Sequence, residues 1–291
     1  MTAPPTATHA AIADRLIAAL DAGTTLAPIS QGAPGFDVDA AYEVLREIER
    51  RRVASGWRRV GRKIGFTNRT IWPRYGVYRP MWASMWAHTV TTATAGRARL
   101  ALGRLVQPRI EPEVVFRLKA PLPLTDDPHA MLDAVEWVAA GFEIVQSLYP
   151  DWKFNAAECT AACGLHGALV VGEPLPVTAA NRDSLAAALS TFALTLSRDG
   201  AVVDRGVGAN VLDSPARALI HLARLLADQP ASPRVGAGEI VTTGTVTDAW
   251  PVAPGQTWTA DYGALGLQPI ELAFDARAAD VALADGGAGL R

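Results

Sequence analysis

Apolar positions recur at helical spacing twice near the start of the chain: Ile12, Leu16, Ile17 and Leu20 within Ala10 to Ala22, then Tyr42, Leu45, Ile48 and Val53 within Asp39 to Ala54. A stripe of this period predicts two amphipathic helices, which together form an N-terminal helical cap over residues 1–60. Pro34, within Gly32 to Gly35, predicts the loop between them. From Val60 the pattern changes to short runs rich in Val, Ile, Thr and aromatic residues. These predict strands at Thr89 to Thr92, Ile110 to Leu118, Phe142 to Val145 and Gly167 to Val171, and again at Phe192 to Leu196, Glu239 to Thr243, Thr257 to Ala260 and Pro269 to Phe274. Two helices are expected among them: one over Pro128 to Ala140, and one running to Ala227 from Ser214-Pro215, a serine cap with proline at the first helical position. Asp199-Gly200 predicts a hairpin turn. The sum is an α+β fold, a β-rich body over residues 61–280 preceded by helices, with residues 281–291 expected to form a flexible tail.

Composition narrows the function. With 49% hydrophobic and 19% charged residues the chain supports a well-buried core, and a formal net charge of −2 gives no pull toward nucleic acid or anionic membranes. No run approaches the roughly 20 apolar residues of a membrane helix, and Met1-Thr2-Ala3-Pro4-Pro5 does not open a secretory signal, so a cytoplasmic protein is expected. Arg50, Arg51, Arg52, Arg58, Arg59 and Arg62 form a basic run, but Glu43, Glu47 and Glu49 interleave with it, which predicts a salt-bridged surface. A single C-x₃-C, Cys159 and Cys163, lacks the second ligand pair of a zinc site and reads as two reduced, buried thiols. The eight tryptophans include Trp72, Trp82 and Trp86 close together, expected mainly in core packing.

Candidate chemistry is concentrated in Gln107-Pro108-Arg109-Ile110-Glu111-Pro112-Glu113-Val114-Val115-Phe116. Strand side chains repeat every two residues, so Glu111 and Glu113 leave one face together. Two adjacent anions need a shared proton, a cation or a metal ion. Glu143, in the apolar run Gly141-Phe142-Glu143-Ile144-Val145, is a third acid of the same kind. Three carboxylates without neighbouring Cys or His ligands suit Mg²⁺ or Mn²⁺ and leave positions for water and a chelating substrate. The same spacing also allows Glu111 to face solvent on an edge strand while Glu113 pairs with Arg109 or Arg117.

The ordered motifs Gly61-Arg62-Lys63-Ile64-Gly65-Phe66-Thr67, Pro108 to Glu113, Phe142 to Ser147 with Pro150-Asp151-Trp152, Gly244-Thr245-Val246-Thr247 and Pro254-Gly255-Gln256 resemble those of the fumarylacetoacetate hydrolase superfamily. The branch they resemble is that of the 2-keto-4-pentenoate hydratases and 4-oxalocrotonate decarboxylases, from about Ala41 to Phe274. The resemblance implies a fumarylacetoacetase C-terminal-like mixed β-roll. It also implies one Mg²⁺ or Mn²⁺ held by Glu111, Glu113 and Glu143, which in turn chelates the keto oxygen and carboxylate of a small-molecule 2-oxo acid. Lys63 matches the family lysine that helps enolise the substrate, and Thr245 matches a Gly-Thr turn that contacts substrate. Arg109, Tyr78 and Trp82 join it as candidate substrate contacts. Assembly as a homo-oligomer is implied as well.

Two segments depart from the branch. Gly76-Val77-Tyr78-Arg79-Pro80-Met81-Trp82 carries Tyr78 and Met81 where acids are usual, and Trp82 to Trp86 is a candidate substrate lid. Glu158-Cys159-Thr160-Ala161-Ala162-Cys163-Gly164-Leu165-His166-Gly167 has lost most of the usual hydroxyl donors and gained His166. His88, His129 and His166 read as structural histidines, and no Glu-His pair of the kind that activates water for hydrolysis is visible near the metal motifs. The expected function is a divalent-metal-dependent hydratase for an unsaturated 2-oxo acid of the 2-hydroxydienoate type, working through an enolate. The alternatives are a metal-dependent decarboxylase, a C–C hydrolase or a catalytically weak partner subunit.

Overall fold

The computed structural model describes residues 8–276. The helix His9–Ala22 begins at the Thr8 cap, whose side chain accepts from the Ala11 N–H, and ends at Gly23, in the left-handed conformation (φ 64°). The helix Val38–Ala54 is capped by Asp37. Both lay Ile12, Leu16, Leu45 and Ile48 into a hydrophobic core that continues without a break into the β-rich body. Arg50 and Arg51 pair with Glu47 on the surface, as expected, whereas Arg52, paired with Asp21, and Glu49, paired with Arg59, are buried. Arg62 breaks that expectation: it is fully buried, with its guanidinium on Glu239 and over the Trp82 ring.

In chain order the strands are β1 (Arg59–Gly65), β2 (Met81–Trp86), β3 (Val90–Thr92), β4 (Arg97–Leu100), β5 (Arg109–Leu118), β6 (Val135–Val145) and β7 (His166–Val171). They continue as β8 (Leu175–Pro176), β9 (Ala193–Arg198), β10 (Ala201–Val207), β11 (Ile240–Thr245), β12 (Trp250–Pro251), β13 (Thr257–Asp261) and β14 (Ile270–Phe274). The larger sheet runs β2-β1-β11-β5-β6-β7-β3, with β12 beside β5 and β8 beside β6. Its two ends, β2 and β3, are joined through the short turn Ala87–Thr89, so the sheet curls into a roll. A smaller sheet, β10-β9-β13-β14-β4, packs against it, and the hairpin at Asp199-Gly200 joins β9 to β10. One hydroxyl ties the two sheets at the acid-bearing strand: Tyr262 donates to the Glu113 carbonyl at 2.7 Å and accepts the Gly141 N–H at 3.3 Å.

Two expectations are corrected. The helix expected to Ala140 stops at Leu132, and Val135–Val145 is the long central strand β6. A continuous apolar run satisfies either period, and pairing with β5 from Val135 to Val145 decides it. Trp82 to Trp86 is no lid, because it lies in β2, buried along its whole length. The helices Ala156–Ala161 and Arg182–Thr191 were not expected. The helix Pro215–Ala227 forms on its Ser214 cap as expected. Residues 281–291 lie outside the described residues.

Candidate metal centre and active site

β5 and β6 pair antiparallel with Glu111 directly opposite Glu143 and Glu113 opposite Gly141. Like charges so opposed destabilise a sheet unless something neutralises them. Among the described residues, one group of three or more potential ligands gathers: carboxylate oxygens of Glu111, Glu113 and Glu143, all within 4.8 Å of one another. The trio therefore converges, and the edge-strand arrangement with Glu111 turned to solvent does not occur.

Each buried acid is aimed by one of its oxygens. Glu113 Oε2 accepts the Gly244 N–H at 2.7 Å. That N–H is available because the β11 register shifts between Thr242 and Thr245, a bulge with Gly244 at φ +96°. Glycine is required there, since a Cβ would sit 1.8 Å from Thr67 Oγ1. Glu143 Oε1 lies 2.8 Å from His166 Nδ1, and Glu143 Oε2 lies 2.9 Å from Lys63 Nζ. Glu113 Oε1 and Glu143 Oε2 are buried with no hydrogen-bond partner, Lys63 meeting the latter as an ion pair only. Oxygens left this way are costly unless a cation gathers them, and the all-carboxylate donor set suits a hard divalent ion.

Lys63, buried on β1, reaches the trio across β11. Gly164 (φ +61°) gives its stem room, because a Cβ there would lie 3.0 Å from Lys63 Cδ. Burial is the largest influence on this ammonium and works against it, but Glu143, Glu111 and Glu113 together outweigh that and raise its pKa. Burial also works against ionisation of Glu143, yet Lys63 and His166 pull its pKa down to about 2. For Glu111 burial prevails and raises the pKa to about 7, and burial reinforced by Glu143 raises Glu113 well above the usual carboxylate range. The environment thus favours the anion at Glu143 and disfavours it at Glu111 and Glu113.

A cavity of about 210 Å³ opens over this centre. Lys63, Glu111, Arg109 and Thr245 line it, and Phe66, Tyr75, Trp152 and Phe154 form an aromatic wall. Arg109 lies over the Trp152 ring, 4.1 Å from its centroid, and Tyr75 stacks on Phe154. Thr245 Oγ1 accepts the Thr247 N–H at 3.2 Å while facing the cavity.

Two expected substrate contacts are elsewhere. Tyr78 is 78% exposed and does not line the cavity. Trp82 is fully buried beneath Tyr42, with its indole N–H donated to Gln229 at 3.0 Å. Met81 is a core side chain paired opposite Gly65. Reading residue by residue missed Cys159 and Asp248, which line the cavity, and gave His166 no role beyond structure. The signal for His166 was its place at the start of β7, but its pairing to β6 is a tertiary fact.

The curled roll has a counterpart in a known class. The fumarylacetoacetate (FAA) hydrolase C-terminal profile matches residues 76–269, and the chain belongs to that family. Within it, the chain is 30% identical over 260 residues to the 2-hydroxyhexa-2,4-dienoate hydratase of Comamonas testosteroni, spanning 88% of this chain and 94% of that protein. It is 32% identical over 260 residues to a 4-oxalocrotonate decarboxylase of a Pseudomonas species, again covering 88% and 94%. Among solved structures it is similar to the 4-oxalocrotonate decarboxylase of Pseudomonas putida G7 complexed with magnesium and adipate, with TM-score 0.82, 27% identity and coverage of 91% of this chain and 97% of that one.

Proposed function

We propose that this protein is a divalent-metal-dependent hydratase, a lyase that adds water to an unsaturated 2-oxo acid of the 2-hydroxydienoate type. The observation that carries this is the convergence of Glu111, Glu113 and Glu143, with a buried Glu113 oxygen left without a partner, beside a cavity that Glu111 and Lys63 line. Relatives named as hydratases and decarboxylases support it, as does a solved relative holding magnesium.

Glu111, Glu113 and Glu143 would hold one Mg²⁺ or Mn²⁺. Bound there, the ion would supply Lewis acidity to the 2-oxo acid head of the substrate, offsetting the negative charge that develops on it. Lys63 Nζ, held as an ammonium by its ion pair with Glu143, lines the cavity, where it would give a proton to the substrate chain and retake it. Thr245 and Arg109 orient the substrate, and the aromatic wall excludes water from its apolar tail. His166 belongs to a Glu-His pair, but its Nε2 is bound to Thr89 and it does not line the cavity, so it does not serve to activate a hydrolytic water.

A decarboxylase is favoured by one observation: Arg109 brings a guanidinium into the cavity, where it would suit a second carboxylate. Mg²⁺-dependent loss of ultraviolet absorbance from 2-hydroxydienoates without CO₂ release supports the hydratase. CO₂ release from a dicarboxylic 2-oxo acid transfers the assignment to the decarboxylase, and metal binding without turnover on either substrate indicates a partner subunit. Parallel titrations with Mg²⁺ and Mn²⁺ decide the ion. Homo-oligomeric assembly in the cytoplasm belongs to the same proposal and is tested by sedimentation and cell fractionation.

A further inference from the structure

One buried side chain has no part in the chemistry above. His166 opens β7 in the segment where this chain departs from the branch it resembles, and its side chain is 3% exposed. Its ring bridges two elements: Nδ1 lies 2.8 Å from Glu143 Oε1 on β6, and Nε2 lies 2.8 Å from Thr89 Oγ1 in the turn that closes the roll. The ring lines a second, smaller cavity of about 110 Å³ with Arg52, Trp57, Ser84 and Thr89, and not the cavity over the acids. It therefore touches neither substrate space nor reacting atoms.

Proton counting fixes what it delivers to Glu143. The Thr89 hydroxyl has one hydrogen and two neighbours that can take it, the Trp86 carbonyl at 2.9 Å and His166 Nε2. With a neutral ring protonated at Nδ1, Thr89 donates to Nε2. With an imidazolium, Nε2–H donates to Thr89, whose hydrogen turns to Trp86. The remaining tautomer would set a bare Nδ1 lone pair against an ionised carboxylate 2.8 Å away. Both acceptable states place an N–H on Oε1.

We propose that His166, braced by Thr89, is the positioning residue for Glu143: it occupies Oε1 and thereby leaves Oε2, the oxygen that meets Lys63 Nζ at 2.9 Å, as the one available to the ion. This rests on the metal-centre assignment above. Glu113 has the matching device, with Oε2 on the Gly244 N–H and Oε1 left over. The second device is a side chain and can be exchanged atom by atom.

The test is Mn²⁺ binding by the full-length protein, read from the free-ion signal in electron paramagnetic resonance, with circular dichroism as the folding control. His166→Asn keeps an amide N–H near the Nδ1 position and should stay within about 3-fold of wild type, while His166→Gln and His166→Ala should weaken binding about 10- to 100-fold. If the alanine variant does not fold, the asparagine and glutamine variants decide. Gln or Ala binding as tightly as wild type, or Asn weakening as much as Gln, overturns the proposal. Failure of the wild type to bind Mn²⁺ overturns the metal assignment itself. A readout independent of the ion is the ¹⁵N shift of His166 in metal-free protein, where a protonated Nδ1 is expected and a bare Nδ1 refutes the assigned hydrogen bond.

Discussion

At the scale of single residues, the site is a set of charges whose neighbours decide their state. Lys63 is the only ammonium in contact with the trio among the described residues, so Lys63→Met should lower kcat by about 10²- to 10⁴-fold, the usual worth of a positioned proton carrier, while Mn²⁺ still binds. Unchanged turnover would remove Lys63 from the mechanism. Gly244→Ala forces a side chain into positive φ and onto Thr67, which should cost about 1–3 kcal/mol in urea denaturation and weaken metal binding through Glu113. Cys159 and Cys163 are free and buried, and burial pushes both thiols up to about 12. Neither should react with a thiol-specific disulfide reagent at pH 8 until the protein is unfolded, and rapid labelling of the native enzyme would contradict this. The acids and the lysine were legible in the sequence because strand alternation and ordered motifs marked them. Tyr78 and Trp82 were misplaced because sequence proximity to an altered motif does not reveal which way a strand faces.

At the scale of elements, strands and capped helices were readable where one period dominated. Leu16 and Leu45 announced their helices, and Ser214-Pro215 announced another. The stretch after Leu132 was not readable, since only pairing with β5 makes it a strand. The short helix Ala156–Ala161 gave no periodic signal, yet it is tightly specified: Asn155 and Glu158 cap each other's backbone N–H groups, and Glu158 Oε1 also takes the Ser30 N–H and hydroxyl. Asn155→Ala should therefore cost about 1 kcal/mol, measured as a lower urea midpoint with unchanged slope. No shift in the midpoint would mean that the cap is redundant with the Ser30 contact.

At the scale of the whole molecule, protonation of the acid centre couples to stability. The raised pKa values of Glu111 and Glu113 mean that the metal-free fold holds protons the unfolded chain would release, so its stability should fall as pH rises from about 4.5 toward about 7. Glu143 acts oppositely, its contribution being lost only as pH falls from 4.5 toward about 2, below that window. A divalent ion replaces the protons, so Mg²⁺ should raise Tm more at pH 7.5 than at pH 5.5. An equal or smaller shift at pH 7.5 would show that the carboxylates do not carry those protons. No helix among the described residues is long and apolar enough to cross a membrane.

The acids stand on paired strands, whereas Phe66, Tyr75, Trp152 and Phe154 stand on loops and single helical turns. Backbone ladders constrain the first group, whereas the second is held by mutual stacking and by single contacts such as the Trp152 indole N–H on the Gln107 carbonyl and the Trp72 indole N–H on the Phe66 carbonyl. Natural variation can then reshape what the enzyme accepts at the far end of its substrate without disturbing how it grips the near end. Replacing one of these aromatic side chains should therefore alter which substrate tail fits while leaving the acid centre in place.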